Sequence, residues 1–294
     1  MNAEDVQRVG VVGCGLMGSG IVEVCAKAGF DVIYAEADAE RVRHGRSLIE
    51  RSLGTAVERG KLDEAGREAT LSRIFGTTDL GELGGADLVI EAVVERMDEK
   101  LRVFGTLDRL VRDDVVMASN TSSLSITEIG ATTGRPDRVV GMHFFNPPPV
   151  MKLLEIVRGV TTSEETVAFA RAMGERLGKT TVLAKDRAGF IVNMLLIPYL
   201  NGAVRMLEEG HATAEDIDTG VVLGLGHPMG PLTLLDLVGL DTAVHVGDVL
   251  YEEFKEPLYA PPPLLRRMVA AGMLGRKSGH GFYDYPGGGK GRRA

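Results

Sequence analysis

Residues 9–36 constrain the fold most. Val9–Val12 is a short apolar run suited to a buried parallel strand, and Gly13-Cys14-Gly15-Leu16-Met17-Gly18 follows it at once. Ile21, Val24, Cys25 and Ala28 then recur at helical spacing, Gly29 fits a helix C-terminus, and Val32–Ala35 reads as a second strand ending at Glu36. Strand, glycine turn, helix and strand within about thirty residues make a βαβ unit. In that context the Gly-x-Gly-x-x-Gly pattern gains force that it lacks alone. Gly13 permits a tight turn, Gly15 lets the backbone approach a pyrophosphate, and Gly18 lets the helix pack on the sheet. The helix N-terminus presents N–H groups and a positive dipole end to phosphates. Glu36 lies 18 residues beyond Gly18. An acid at a spacing of about 20 accepts from the adenosine ribose and repels a 2′-phosphate, which favours NAD over NADP. Read singly, the glycines fit ordinary turns and Glu36 a solvated strand end.

Downstream, residues 39–61 and 62–74 read as a helical pair inserted in the α/β pattern, the first with a basic excess (Arg41, Arg43, Arg46, Arg51, Arg59, Lys61). Residues 87–92, 115–119, 139–142, 153–157 and 181–183 read as further strands. From Asp186 onward the pattern is helical without a convincing strand: 189–207, with Pro198 inside it, then 214–223 and 232–254. This order predicts an α/β fold: a Rossmann-type, doubly wound, mostly parallel sheet domain over 1–185. An all-helical domain over 186–285 and a flexible Gly- and Arg-rich tail over 286–294 follow.

Composition narrows the function classes. The 294 residues hold 44% hydrophobic and 25% charged side chains, ordinary globular values, and 38 glycines, nearly twice the usual level of about 7%. The net charge of −8, from 33 basic and 41 acidic residues, disfavours nucleic acid as a partner while leaving room for a local basic patch on an anionic small molecule. Cys14 and Cys25 make neither a disulfide framework nor a metal-ligand set, so no metal is expected. Met1–Arg8 lacks the basic-then-apolar pattern of a signal peptide, and no stretch approaches 18 uncharged apolar residues. A soluble cytoplasmic protein with no membrane association is the expectation.

Three further features need a joint explanation. His143 follows an apolar strand in His-Phe-Phe-Asn-Pro, Ser122 follows another in Asn-Thr-Ser-Ser, and Glu155 sits inside the apolar run Leu153–Val157. A carboxylate inside such a run is costly unless paired. His143 and Ser122 both fall at carboxyl ends of strands, where α/β sheets bind ligands. Taken singly, His143 fits a structural histidine, Ser122 a helix cap and the basic helix a solvated face.

These segments together resemble the L-3-hydroxyacyl-CoA dehydrogenases, including the short-chain 3-hydroxybutyryl-CoA dehydrogenases. The residues carrying the resemblance are GCGLMGSGI (13–21), EAVVERMDEK (91–100), SNTSSLSI (119–126), GMHFFNPPPVMKLLEI (141–156), DRAGFIVNMLLIPYLNGA (186–203), GLGHPMGPLTLLDLVGLD (224–241) and GRKSGHGFYDY (275–285). The resemblance implies that His143 is the catalytic base with Glu155 as its partner, and that Ser122 and Asn193 are the catalytic serine and asparagine. It implies cofactor contacts at the Gly13, Gly15, Leu16, Met17, Gly18 loop and Glu36, and on the nicotinamide side at Glu95, Lys100, Ser122 and Asn146, with a looser match at Lys277. Ser52 and Arg59 fall on the positions that contact coenzyme A, Arg59 standing where the family has a lysine; Glu36 stands where it often has Asp. The implied activity is NAD-dependent oxidation of a (3S)-3-hydroxyacyl-CoA and its reverse, on short chains. Residues 232–249 carry more apolar surface than one small core needs, which favours a homodimer formed through the helical domain. The implied site spans both domains, with closure on binding. Two other readings stay open: a dehydrogenase of a free hydroxy acid on the same scaffold, and a non-catalytic NAD-binding protein.

Overall fold

The computed structural model describes residues 2–286 and 292–293. It divides into two compact units, Met1–Arg187 and Ala188–Ala294, a boundary two residues beyond the expected 185. The first unit begins β1 (Arg8–Val12), α1 (Leu16–Lys27), β2 (Asp31–Ala35), α2 (Ala39–Glu58), α3 (Glu64–Leu71), β3 (Ile74–Thr77), β4 (Leu88–Glu91) and α4 (Met97–Leu110). It continues β5 (Val116–Ser119), α5 (Ile126–Gly130), β6 (Val139–Phe144), β7 (Leu153–Arg158), α6 (Glu164–Arg176) and β8 (Thr180–Lys185).

Its eight strands form one sheet in the order β3-β2-β1-β4-β5-β6-β7-β8. The order reverses between β1 and β4, the switch point at which such sheets open a ligand crevice. All neighbouring strands run parallel except β6 and β7. The central strands read as apolar runs because helices cover both faces: Val9, Val11, Leu88, Ile90, Val140, Met142, Leu154 and Ile156 are buried together with Ile21, Val22 and Cys25 of α1. Asp38 and Asp63 start α2 and α3 by accepting from the N–H groups of Arg41 and Gly66 at 2.8 Å each.

The helical pair expected over 39–74 is α2 and α3, but α3 ends at Leu71 and Ile74 opens β3, a strand absent from the sequence reading. The antiparallel β6–β7 pair is likewise a finding of the structure.

In the second unit, α7 (Val192–Glu208), α8 (Ala214–Leu225), α9 (Pro231–Val238), α10 (Leu240–Phe254) and α11 (Pro263–Ala270) surround a separate core. The single helix expected over 232–254 is two. Gly239, at φ +100°, ends α9 and starts α10. The unit is not wholly helical: Tyr283–Asp284 pairs antiparallel with Arg292–Arg293. The rest of the tail expected from 286 falls almost wholly outside the described residues. The motif residue Asp236 and the neighbouring Asp218 are structural. Asp236 accepts from the N–H groups of Phe282 and Tyr283 and from the Tyr285 hydroxyl, and Asp218 from the N–H groups of Leu232 and Thr233 and the Tyr283 hydroxyl. Among the described residues no helix is long and apolar enough to cross a membrane.

Candidate active site

The glycine loop after β1 has the shape of a phosphate cradle. Gly13 takes φ +90°, and a Cβ there would lie 2.6 Å from the Ala92 carbonyl oxygen. A Cβ on Gly18 would lie 1.9 Å from the Gly13 carbonyl oxygen. These contacts lock the loop onto β4 and onto α1. At Gly15 a Cβ would meet nothing within 4 Å, so open space lies against the backbone there. Gly15 is the N-cap of α1 and offers no side chain to the first turn, whose earliest helical bond is Ser19 N–H to Gly15 O. The N–H groups of Leu16, Met17 and Gly18 precede that bond, as an anion site requires. Glu36 stands just beyond β2, and its Oε1 accepts from the Cys14 N–H at 2.5 Å, which holds the carboxylate beside the loop. The cradle therefore fits a dinucleotide. Burial, with Glu36 adding to it, raises the Cys14 thiol to about 12, and burial also raises Cys25 to about 12, so both are protonated packing residues at neutral pH.

His143 and Glu155 are brought together by strand register. In the antiparallel β6–β7 pair they are direct cross-strand partners, so their side chains leave the same face. His143 Nδ1 lies 2.7 Å from Glu155 Oε2, and both side chains are buried. A carboxylate only accepts, so the ring proton sits on Nδ1 and Nε2 keeps its lone pair. Nε2 is 3.1 Å from Ser122 Oγ, just beyond β5. Asn120 steadies this end of β6 by accepting from the Phe144 N–H at 2.9 Å. Ser122 is not the cap of the following helix; Ser125 is, assisted by Asp186, which accepts from Ser125 Oγ and from the N–H groups of Ile126 and Thr127.

Glu95, after β4, clamps the Ser122 turn. Its Oε1 accepts from Thr121 Oγ1 at 2.6 Å and from the Ser122 N–H at 2.8 Å, and its Oε2 meets Lys100 Nζ at 3.2 Å. Burial works against the ionised carboxyl, but Lys100, Thr121 and the Ser122 N–H outweigh it and hold Glu95 below the ordinary carboxylate range. Lys100 itself is only 1% exposed and donates to Glu91 Oε1 at 2.7 Å. Glu91, absent from the sequence-derived site residues, ends β4 fully buried. Asn146 is exposed in the turn after β6.

A cleft of about 530 Å³ lies in the same unit between α1, α2 and the 147–150 turn. Ser52, Arg51, Arg59, Lys61 and Lys27 line it, with Glu23 and the apolar Leu48, Ala56 and Val150. Not every cation of the basic helix faces it: Arg46 binds Glu50 and the carbonyl oxygens of Leu71 and Ile74, joining α2 to α3 and β3. The two remaining candidates lie in the helical unit. Asn193 is in the first turn of α7, and Lys277 Nζ donates to Asp241 Oδ2 at 2.6 Å. Among the described residues no group of His, Cys, Asp and Glu could hold a metal ion.

Fold and site together define a dinucleotide-binding dehydrogenase with a histidine–carboxylate pair where the carboxyl end of β6 meets the antiparallel β7. Residues 8–187 match the model of the 3-hydroxyacyl-CoA dehydrogenase NAD binding domain, and residues 189–285 that of the 3-hydroxyacyl-CoA dehydrogenase C-terminal domain. The chain belongs to the 3-hydroxyacyl-CoA dehydrogenase family. It is 53% identical over 285 residues to the 3-hydroxybutyryl-CoA dehydrogenase of Mycobacterium tuberculosis, covering 96% of this chain and 100% of that protein. The human mitochondrial hydroxyacyl-coenzyme A dehydrogenase is 43% identical over 287 residues, covering 95% and 91%. The crystal structure of (S)-3-hydroxybutyryl-CoA dehydrogenase PaaH1 from Ralstonia eutropha aligns with a TM-score of 0.91 at 46% identity, covering 96% of this chain and 99% of that one.

Proposed function

We propose that this enzyme interconverts (3S)-3-hydroxyacyl-CoA and 3-oxoacyl-CoA with NAD, and that short chains such as 3-hydroxybutyryl-CoA and acetoacetyl-CoA are its substrates. The observation that carries the reading is the cross-strand His143–Glu155 pair with Ser122 on its other nitrogen. In the oxidative direction His143 Nε2 takes the proton of the C3 hydroxyl, and Glu155 stabilises the imidazolium that forms. Bound NAD+ supplies the acceptor for the C3 hydride. In reduction the imidazolium returns its proton to the new alkoxide. Ser122 Oγ donates to the substrate oxygen, where charge develops.

The glycine loop and Glu36 bind the adenosine half of the cofactor, and Glu95, Ser122 and Asn146 its nicotinamide half, with Lys100 acting from its buried position through Glu95. Ser52, Arg51 and Arg59 receive the phosphorylated end of coenzyme A in the cleft beside α2. From the helical unit we assign Asn193 as a further substrate donor and Lys277 as a cofactor contact that exchanges Asp241 for the ligand. That unit also exposes Leu223, Leu225 and Leu237, which supports a homodimer formed through it. A cytoplasmic location fits this chemistry.

The test is NADH oxidation with acetoacetyl-CoA, beside free acetoacetate and beside NADPH. Turnover with acetoacetyl-CoA and NADH alone is expected. Activity on free acetoacetate instead moves the reading to a free-acid dehydrogenase, and NADH binding without turnover on any acyl-CoA moves it to a non-catalytic binder. Reversing charge at Arg51 and Arg59 together raises the acetoacetyl-CoA KM by about 10-fold or more, since charged hydrogen bonds contribute about 1.5–3 kcal/mol each. An unchanged KM removes the cleft from substrate binding.

Glu36 gives a separate prediction for cofactor choice. Glu36→Ala narrows the preference for NADH over NADPH by about 10-fold, the effect of removing one charge that repels a 2′-phosphate. The ratio of kcat/KM values measures it, and an unchanged ratio places the selection elsewhere.

A further inference from the structure

Glu91 is the most deeply buried carboxylate beside the site, and the proposed mechanism gives it no role. It ends β4 with no exposed surface and accepts from Ser119 Oγ at 2.6 Å, from the Val93 N–H at 2.7 Å and from Lys100 Nζ at 2.7 Å. A buried charge survives only with such a full set of partners. The partners lead in one direction. Lys100 joins Glu91 to Glu95; Glu95 fixes Thr121, the Ser122 N–H and the Ser123 N–H; Ser122 Oγ meets His143 Nε2. Ser119, whose hydroxyl donates to Glu91, accepts from the Thr121 N–H at 3.2 Å, so the Ser122 turn is tied to Glu91 by two routes.

The geometry points to Glu91 as a positioning residue: through Lys100 and Glu95 it sets the place of the Ser122 hydroxyl against His143. Lys100 and Ser119 are the two links, and neither needs to touch substrate. The alternative is that Glu91 merely satisfies Lys100 inside the fold. The two differ in what they predict for the folded variant. A structural contact lowers stability and leaves turnover per folded molecule alone. A positioning residue lowers kcat, because a misplacement near 1 Å costs about 10²-fold, and it leaves KM alone, because the cleft beside α2 is built from other elements.

The inference rests on the proposed activity, and the experiment separates the two. Steady-state kinetics with acetoacetyl-CoA and NADH, melting temperature, and NADH affinity from fluorescence are measured for the unaltered protein, Glu91→Gln, Lys100→Met and the double variant. The expected result for Glu91→Gln is a fall in kcat of about 10–100-fold, with the acetoacetyl-CoA KM within about threefold and a smaller loss of NADH affinity, up to about tenfold, through Glu95 and Ser122. The loss in the double variant is expected to be smaller than the product of the two single losses, because both substitutions cut the Lys100 link and only Glu91→Gln also disturbs the Ser119 one. If Glu91→Gln does not fold, the double variant, which removes both charges of the pair, carries the test with the same expected split. A kcat within about threefold of the unaltered protein overturns the inference, as do a loss confined to KM and losses that multiply in the double variant. No turnover by the unaltered protein overturns the activity and the inference together.

Discussion

His143→Ala will lower kcat for acetoacetyl-CoA reduction by about 10²–10⁴-fold, the span that a positioned acid–base group contributes. NADH affinity will stay within about threefold, because the residues proposed for the adenosine half lie in the turn from β1 into α1 and just beyond β2. Glu155→Gln will be nearly as damaging. An amide can still accept from Nδ1–H through its oxygen, but it can also present its NH2 to that nitrogen and favour the wrong tautomer, and it cannot stabilise an imidazolium. A loss of about 10²-fold or more is expected. Because both side chains are buried, the melting temperature must be measured beside kcat. Turnover within about twofold of the unaltered protein in folded His143→Ala removes His143 from the role of base.

The pairing behind this prediction was half legible in the sequence. Glu155 stands out in the sequence because an acid in an apolar run needs a partner, and His143 because it follows an apolar strand. What joins them is the antiparallel register of β6 on β7, which apolar runs do not reveal: a parallel neighbour has the same composition. The test applied to Glu155 would also have found Glu91, which ends the run Leu88-Val89-Ile90-Glu91, yet an acid at a strand end reads equally well as solvated. Lys100 shows the reverse problem. Resemblance places it among the cofactor contacts, but only packing shows that its ammonium is buried between Glu91 and Glu95.

The fold followed the same rule. β1, α1 and β2 were legible because glycine spacing and helical periodicity agree over a long segment. β3 was not: it is a short edge strand whose Phe75 and Gly76 are exposed, so no apolar run announces it. The break at Gly239 lay hidden in a continuous apolar stretch, where one glycine is weak evidence against a longer helix. Ser52 and Arg59 rest on a loose local match; α2 puts them on one wall, and only the 147–150 turn, distant in sequence, makes that wall part of a cleft.

The glycine loop allows a prediction in which two neighbouring substitutions separate binding from folding. On Gly18 a Cβ would sit 1.9 Å from the Gly13 carbonyl oxygen, while ordinary contact begins near 3.4 Å, so loop and helix must part by about 1.5 Å. Gly13 has little room to yield, because even a Cβ added to it would lie 2.6 Å from the Ala92 carbonyl oxygen. The shift therefore falls on α1, whose Ile21, Val22 and Cys25 are packed in the core. Overpacking of that kind costs about 1–3 kcal/mol, or roughly 2–12 °C in a unit of this size. NADH affinity should fall by about 100-fold as the first-turn N–H groups leave their places. Gly15→Ala is the counterpart. At φ −74° an alanine is unstrained, and its methyl meets no protein atom. The melting temperature should hold or rise slightly, because alanine reduces the freedom of the unfolded chain. NADH binding should nonetheless weaken, because the methyl occupies the space against which the pyrophosphate packs. Fluorescence titration beside thermal unfolding reads both. If Gly15→Ala binds NADH as tightly as the unaltered protein, the space at Gly15 is not where the pyrophosphate lies.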